Sequence, residues 1–326
     1  DTPTDAANSD LLQQCFGRWS ADGGSTWSQP QWLFDFPKTT GVRYDGVSLV
    51  DRDGVLHLFG LDFHALDIPH ADPAKSRIDL YHVTSPDLGQ TWSPIQRIDF
   101  GHTTDGMCNT VIQLRNGRIV LPVPYLSTRV TGKWVSTCVY SDDGGKTWQR
   151  SKSDLVVDSG HRDVESGACE PVVLELKDGR IWMLIRTQTG YLYESWSKDG
   201  GETWSEPTQS RFMSTNSPAN LLRLRDGRIL LAWDNCTFGN LPDIRGDRAI
   251  VSAAISDDEG ATWRGYREIA RSTRSYAIAY PWMVELPDNR VLTHLWFGSY
   301  TLPPFSPNWL LETSILDDFS KSLDQW

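Results

Sequence analysis

The chain has no apolar run of membrane-spanning length. Its five cysteines (Cys15, Cys108, Cys138, Cys169 and Cys236) form no CxxC pair and show no metal-ligand spacing. An odd number leaves at least one free thiol or an intermolecular bond, and Cys169 reads as a small buried thiol. Positive charge is scarce, with 31 Lys and Arg against 42 Asp and Glu and a net charge of −11. That balance argues against a nucleic-acid partner or an anionic membrane surface. It leaves room for a small anionic ligand, because a few focused arginines can reverse the local field. We therefore expect no nucleic acid, no membrane partner, no metal and no cofactor. No signal peptide is visible, and the chain opens on the polar run Asp1 to Asp10.

A short phrase recurs through the sequence. Its copies are SADGGSTW (Ser20 to Trp27), SPDLGQTW (Ser85 to Trp92), SDDGGKTW (Ser141 to Trp148), SKDGGETW (Ser197 to Trp204) and SDDEGATW (Ser256 to Trp263). The spacing is roughly 60 residues, which marks a repeat architecture. Ser and Asp side chains can close a turn on nearby amides. Gly supplies a backbone shape that a Cβ forbids. Each copy should therefore be a bend between strands, with the Trp ring covering it. The phrase is too short and too poor in carboxylates to cage calcium.

A second pattern alternates with the first. Apolar runs flank Asp-Gly, Asn-Gly or Asp-Asn in VSLVDRDGVLHLF, VIQLRNGRIVLPV, VVLELKDGRIWML, NLLRLRDGRILLAW and WMVELPDNRVLTHLW. Such runs are strong hairpin signals. Hairpin, third strand, bend and fourth strand together make a propeller blade. The expected fold is an all-β propeller of four-stranded blades with little helix, forming one domain over residues 1–326. Blades fall at about 43–93, 106–150, 168–206, 216–265 and 278–316, with an N-terminal half-blade at about 9–30. The chain thus starts mid-repeat. Six blades with one incomplete is the favoured count, and a closed five-bladed ring is the alternative. Either a first hairpin is missing, or the N-terminal strands close the ring against the last blade.

Equivalent repeat positions should meet over the axis. Nine residues before the hairpin Gly, or before Asn289, stand Asp45, Cys108, Glu170, Pro218 and Tyr280. Seven residues after it stand Leu61, Pro124, Arg186, Asp234 and Trp296. Arg186 ends an apolar strand, where a charge needs a partner or a role. Asn109, beside Cys108, is a candidate substrate-binding residue. The longer connectors, 61–77, 150–168 and 237–248, should form one rim and the mouth of a site.

Bends of this kind alternating with LxDGR hairpins resemble the sialidase (neuraminidase) superfamily of BNR-repeat propellers, over nearly the whole chain. The resemblance implies a catalytic Glu at the start of one blade and an Arg at the end of its hairpin, matched by Glu170 in ACEPVVLEL and Arg186 in MLIRTQ. It implies a nucleophilic Tyr opening the last blade, matched by Tyr280 in AIAYPWMVEL. It also implies a carboxylate-binding Arg before the last box, matched by Arg248, with Arg245 as a rival. The family's third Arg and acid Asp have no clear match. Arg43 in GVRYDGVSL is the one early Arg near a blade start, and no Pro follows it. This hairpin is in register with the family's second blade, so the usual first Arg and acid lie outside this chain or are absent. Asp45, Asp62, His64, Asp67, His70 and Asp72 are the candidates for a general acid.

The activity this implies is exo-acting removal of a terminal acidic sugar, sialic acid or a relative, from a glycan by a secreted or periplasmic monomer. Tyr280 would attack the anomeric carbon, and Glu170 would take its proton. Arg186, Arg248 and Arg43 would grip the substrate carboxylate. Two other readings use the same fold. A polysaccharide lyase acting on uronic-acid polymers needs a base such as His64 or His70 and an Arg that neutralises the carboxylate. A non-catalytic glycan-binding propeller needs stacked Trp rings and no Tyr–Glu contact.

Overall fold

The computed structural model describes residues 14–35, 42–65, 75–104, 108–127, 134–158, 160, 167–235, 248–272, 277–298 and 309–313. Within these residues the chain forms six antiparallel sheets and no helix. The first sheet has two strands, Gln14–Gly17 and Gln31–Asp35. The second is Val42–Val50, Leu56–Ala65, Arg77–Ser85 and Gln96–Ile98. The third is Ile112–Gln113, Ile119–Leu126, Trp134–Ser141 and Gln149–Arg150, with Leu155–Val156 returning to pair with Trp134–Ser141. The fourth is Cys169–Glu175, Ile181–Arg186, Tyr191–Ser197 and Thr208–Met213. The fifth is Asn220–Arg223, Ile229–Asp234, Ile250–Ser256 and Arg264–Arg271. The sixth is Ala277–Glu285, Val291–Gly298 and Trp309–Thr313. Most of the long connectors lie outside the described residues.

The hairpins and bends form for the reasons their residues suggest. In the third sheet Leu114 N donates to Arg118 O at 2.8 Å, and Gly117 takes a φ of 97°. In the sixth sheet Asn289 fills the glycine position at φ 69°, which Asn tolerates better than most residues. In the bend Ser141 to Trp148, Ser141 Oγ accepts from Gly145 N at 2.8 Å. Asp143 accepts from the Thr147 amide at 2.8 Å and from the Thr147 hydroxyl at 2.7 Å. These bonds hold its carboxyl down at about 2. Trp148 Nε1 closes the turn on Gly145 O at 3.1 Å.

Each bend also packs on the sheet before it. A Cβ at Gly145 would lie 2.6 Å from His82 of the second sheet. Gly201 faces Val120 of the third sheet, and Gly260 faces Trp182 of the fourth. Gly89 of the second sheet faces Trp19, beside the first sheet. Gly24 of the first bend faces Leu292 of the sixth sheet. These contacts link the fifth sheet through the fourth, third, second and first to the sixth.

On the hairpin side, the residue two before the hairpin Gly repeats a clasp. Arg52 donates to Leu114 O and Arg115 O, Arg115 to Leu176 O and Lys177 O, and Arg225 to Glu285 O and Leu286 O. The backbone N of each clasp residue is received by a side chain of the next hairpin, Gln113, Glu175 or Glu285. Between the fourth and fifth sheets Arg223 replaces that acceptor. There Lys177 N donates instead to Glu259, which Arg223 holds at 2.6 Å.

Stacking of this kind buries the second strand of several sheets on both faces. Ile119–Leu126, Ile181–Arg186 and Ile229–Asp234 are buried throughout, so they read as continuous apolar runs. Trp182, 2% exposed, stacks on Trp196 and packs with Phe212, Leu231 and Trp233 between the fourth and fifth sheets.

The second sheet carries a buried polar chain. His57 bonds Asp51 at 3.2 Å and His82 at 2.9 Å, and His82 stacks on Phe59. Burial lowers His82 from 6.5 to about 4. The unfolded chain thus binds the extra proton between those values. Stability contributed by neutral His82 is complete above about pH 6.5 and is lost as pH falls toward 4. At about 1.4 kcal/mol per pH unit the loss is of order 3 kcal/mol. Denaturant unfolding across that range should show the loss in the wild type and a flatter profile in His82→Gln. An equal slope in the two proteins would exclude His82 as its source.

Candidate active site at the mouth of the sheets

The inner strands of the fourth and sixth sheets each open with the same irregularity. Their registers slip between Cys169 and Val172 and between Ala279 and Trp282. Glu170 and Tyr280 sit in these bulges with φ of 43° and 56°. Left-handed backbone at a side-chain-bearing residue costs about 1–3 kcal/mol and is typical of functional sites. A bulge re-aims its side chain out of the sheet pattern. Both residues precede proline, Pro171 and Pro281. A following proline disfavours the helical region, and proline itself lacks the amide that a regular ladder needs. The second sheet slips at the equivalent place, between Asp45 and Ser48.

The two bulges bring their side chains together. Tyr280 OH donates to Glu170 Oε1 at 3.0 Å. Arg186 Nη1 donates to Glu170 Oε2 at 2.5 Å and to Tyr280 OH at 3.1 Å. Glu170 and Arg186 are buried, while Tyr280 is half-buried. The Tyr280 ring stacks on Trp282 at 5.8 Å and meets Trp296 edge-on at 6.3 Å. Arg248, also half-buried, places its guanidinium carbon 5.3 Å from the Tyr280 ring centre. Burial, and then the Glu170 charge, raise the phenol well above its ordinary value, with Arg186 and Arg248 pulling the other way. At neutral pH the free protein therefore holds a neutral phenol beside an acceptor.

Asn216 ties the two arginines to one another. Its Oδ1 accepts from Arg186 Nε at 2.6 Å and from Gln188 Nε2 at 3.1 Å. Its backbone carbonyl accepts from Arg248 Nε at 3.2 Å and Nη2 at 2.6 Å. Sequence reasoning did not select Asn216 or Gln188, because neither belongs to the repeat pattern. Asp234 occupies the same repeat position as Arg186 and lies fully buried near both arginines. The repeat register alone marks this position.

The remaining candidates lie elsewhere or in part outside the described residues. Asn109 is buried, and its carbonyl accepts from Asn220 Nδ2 of the fifth sheet at 3.4 Å. Cys108 is buried beside it. Burial and the Glu170 charge push its thiol up to about 12, so it is a neutral packing group at physiological pH. Asp62 is buried near the mouth end of its strand, paired in register with Arg43 and Asp79. The backbone of Arg43, Asp45 and His64 is placed, and their side chains lie outside the described residues, as do Asp67, His70, Asp72 and Arg245.

Residues 16–293 match the family described as a BNR repeat-like domain, and the chain belongs to that family within the sialidase superfamily. It is 27% identical over 296 residues to a sialidase of Micromonospora viridifaciens, covering 83% of this chain and 43% of that protein. It is 29% identical over 270 residues to a sialidase of Bacteroides fragilis, covering 75% and 47%. The chain thus spans less than half the length of these relatives. In fold it is similar to a protein of unknown function from Dyadobacter fermentans, with a TM-score of 0.70, 22% identity and coverage of 91% and 82%. It is also similar to a leech intramolecular trans-sialidase, with a TM-score of 0.67, 17% identity and coverage of 93% and 63%.

Removing one partner of a buried ion pair leaves an uncompensated charge, which costs about 3–5 kcal/mol. Arg186→Met should lose stability of that order by denaturant unfolding, because Glu170 then lacks its cation and Asn216 its main donor. A loss below about 1 kcal/mol would mean that water replaces the guanidinium.

Proposed function

We propose that the protein is a sialidase-type exo-glycoside hydrolase that removes a terminal acidic sugar from glycans. The observation that carries this reading is the Tyr280–Glu170 hydrogen bond at 3.0 Å, with two arginines converging on the same place. A phenol suits an anomeric carbon that bears a carboxylate, since an anionic nucleophile would be repelled by that group. Because the phenol is strongly protonated on its own, attack requires a base, and Glu170 Oε1 already receives its hydrogen.

The steps balance as a double displacement. Tyr280 oxygen bonds to the anomeric carbon as its proton passes to Glu170. The bond to the aglycone oxygen breaks, and a general acid protonates that oxygen. Asp45, Asp62 and His64 are the candidates for this acid. Water then attacks the anomeric carbon, giving its proton to the conjugate base of the general acid, while Tyr280 leaves and Glu170 returns the first proton to the phenolate. Two inversions give net retention. Arg248 over the ring and Arg186 at the hydroxyl favour the phenolate as charge develops there. The same cations would pair with the substrate carboxylate. Trp282 and Trp296 complete an aromatic wall beside the nucleophile. A setting outside the cytoplasm, secreted or periplasmic, and a monomeric state accompany this reading.

The test is turnover of a fluorogenic α-sialoside by wild type and Tyr280→Phe. The wild type should release the fluorophore, and the Phe variant should lose at least about a thousandfold in kcat while remaining folded. Comparable rates in the two proteins would remove Tyr280 as nucleophile. A folded wild type with no turnover would sink the hydrolase reading. Ultraviolet-absorbing products from uronic-acid polymers would then identify a lyase.

A further inference from the structure

Asp234 ends the second strand of the fifth sheet at the place that Arg186 holds in the fourth. Neither of its carboxyl oxygens has, among the described residues, a partner at full hydrogen-bond geometry, the Ser217 hydroxyl lying close by, and the side chain is fully buried. Thr215 Oγ1 and Ser217 Oγ are also buried without partners. The Thr215 amide donates to the Asp234 carbonyl at 3.1 Å, so this segment is fastened to the strand end. The same segment carries Asn216, which anchors both arginines. A carboxyl and two hydroxyls are thus gathered on the side of the arginine pair formed by the fifth sheet.

Among the described residues, the Ser217 hydroxyl and then the charges of Arg248 and Arg186 favour the ionised form of Asp234. The elements packed around it bring, among the described residues, no other charge to this end. Ile250–Ser256 contains no ionisable residue. Asn220–Arg223 offers Arg223 at the hairpin end, held by Glu259. Ala277–Glu285 packs on the same strand, with Tyr280 toward the mouth and Glu285 at the hairpin end. Burial raises the carboxyl to about 7, the two cations and Ser217 notwithstanding. An unpaired carboxylate in such a place is costly, so proton uptake relieves it.

We propose that Asp234 is the internal counter-ion of the Arg186–Arg248 pair: ionised, it withdraws positive charge from the pair, and protonated, it leaves both cations to an incoming carboxylate. This inference rests on reading the arginines as the carboxylate-binding groups of the site. Binding of an anion and ionisation of Asp234 then oppose one another, and the opposition is reciprocal. An acidic sugar should bind with net proton uptake near neutrality and weaken as pH rises. The role is one of positioning charge, since Asp234 is too deeply buried to touch the sugar.

The experiment is calorimetric binding of N-acetylneuraminic acid to the whole chain from about pH 6 to about pH 8.5, on either side of the Asp234 midpoint. In the wild type the Kd should rise about tenfold across that range, with proton uptake near the middle. Asp234→Asn is neutral throughout and similar in shape, so the rise should shrink to under about twofold and the proton uptake should vanish. A slope unchanged in Asp234→Asn would overturn the proposal. If the wild type binds no acidic sugar, the functional reading fails, and the counter-ion is decided by NMR of carboxyl-labelled aspartate. The Asp234 signal, assigned by its loss in Asp234→Asn, should titrate near neutrality and shift to higher pH in Arg248→Gln. A midpoint indifferent to Arg248 would overturn it without any substrate.

Discussion

The packing of each bend on the sheet before it is the constraint from which the rest of the molecule follows. Glycine at the bend allows direct contact, as the 2.6 Å approach of a Cβ at Gly145 to His82 makes plain. That contact fixes the angle between neighbouring sheets, and the arginine clasps at the hairpin end fix their spacing. Because both are repeated, residues distant in sequence become neighbours at the mouth. Glu170 and Tyr280 are 110 residues apart and share a hydrogen bond. The bond needs no local device beyond two equivalent bulges carried by two rigid sheets.

The mouth is where the repeat stops being uniform. Position for position, the bulge residue is Glu170 in one sheet and Tyr280 in another, and the strand-end residue is Arg186, Asp234 or Trp296. One scaffold thus presents a carboxyl, a phenol, a guanidinium, a buried acid and an aromatic wall from equivalent backbone sites. The strain at Glu170 and Tyr280 is stored there and balanced by the apolar strands behind them. The arginines are held from behind by Asn216, so their charge is preorganised rather than gathered when a ligand arrives.

Charge at this site runs against charge in the chain as a whole. A net −11 protein places two arginines beside one phenol, and burial amplifies their influence relative to the exposed carboxylates of the bends. The bend aspartates illustrate the contrast. Their carboxyls spend their hydrogen-bonding capacity on Ser and Thr and act as local fasteners, whereas Glu170 faces Arg186 across its own hairpin and Asp234 lies buried near Arg248 and Arg186.

Much of the fold was legible in the chain. The Ser-x-Asp-x-Gly-x-Thr-Trp phrase and the Asp-Gly hairpins have local causes, since turn chemistry acts over a few residues. The repeat register even aligned Glu170 with Tyr280 and Arg186 with Asp234. A Pro after both Glu170 and Tyr280 is a further local sign of the bulges. What the chain could not disclose was which aligned residues touch. The contacts of Arg186 with Tyr280 and with Asn216 depend on angles between sheets. Those angles arise from packing summed over whole strands. The ionisation of His82, Tyr280 and Asp234 was equally hidden, because burial and neighbouring charge belong to the assembled sheets and not to any residue alone.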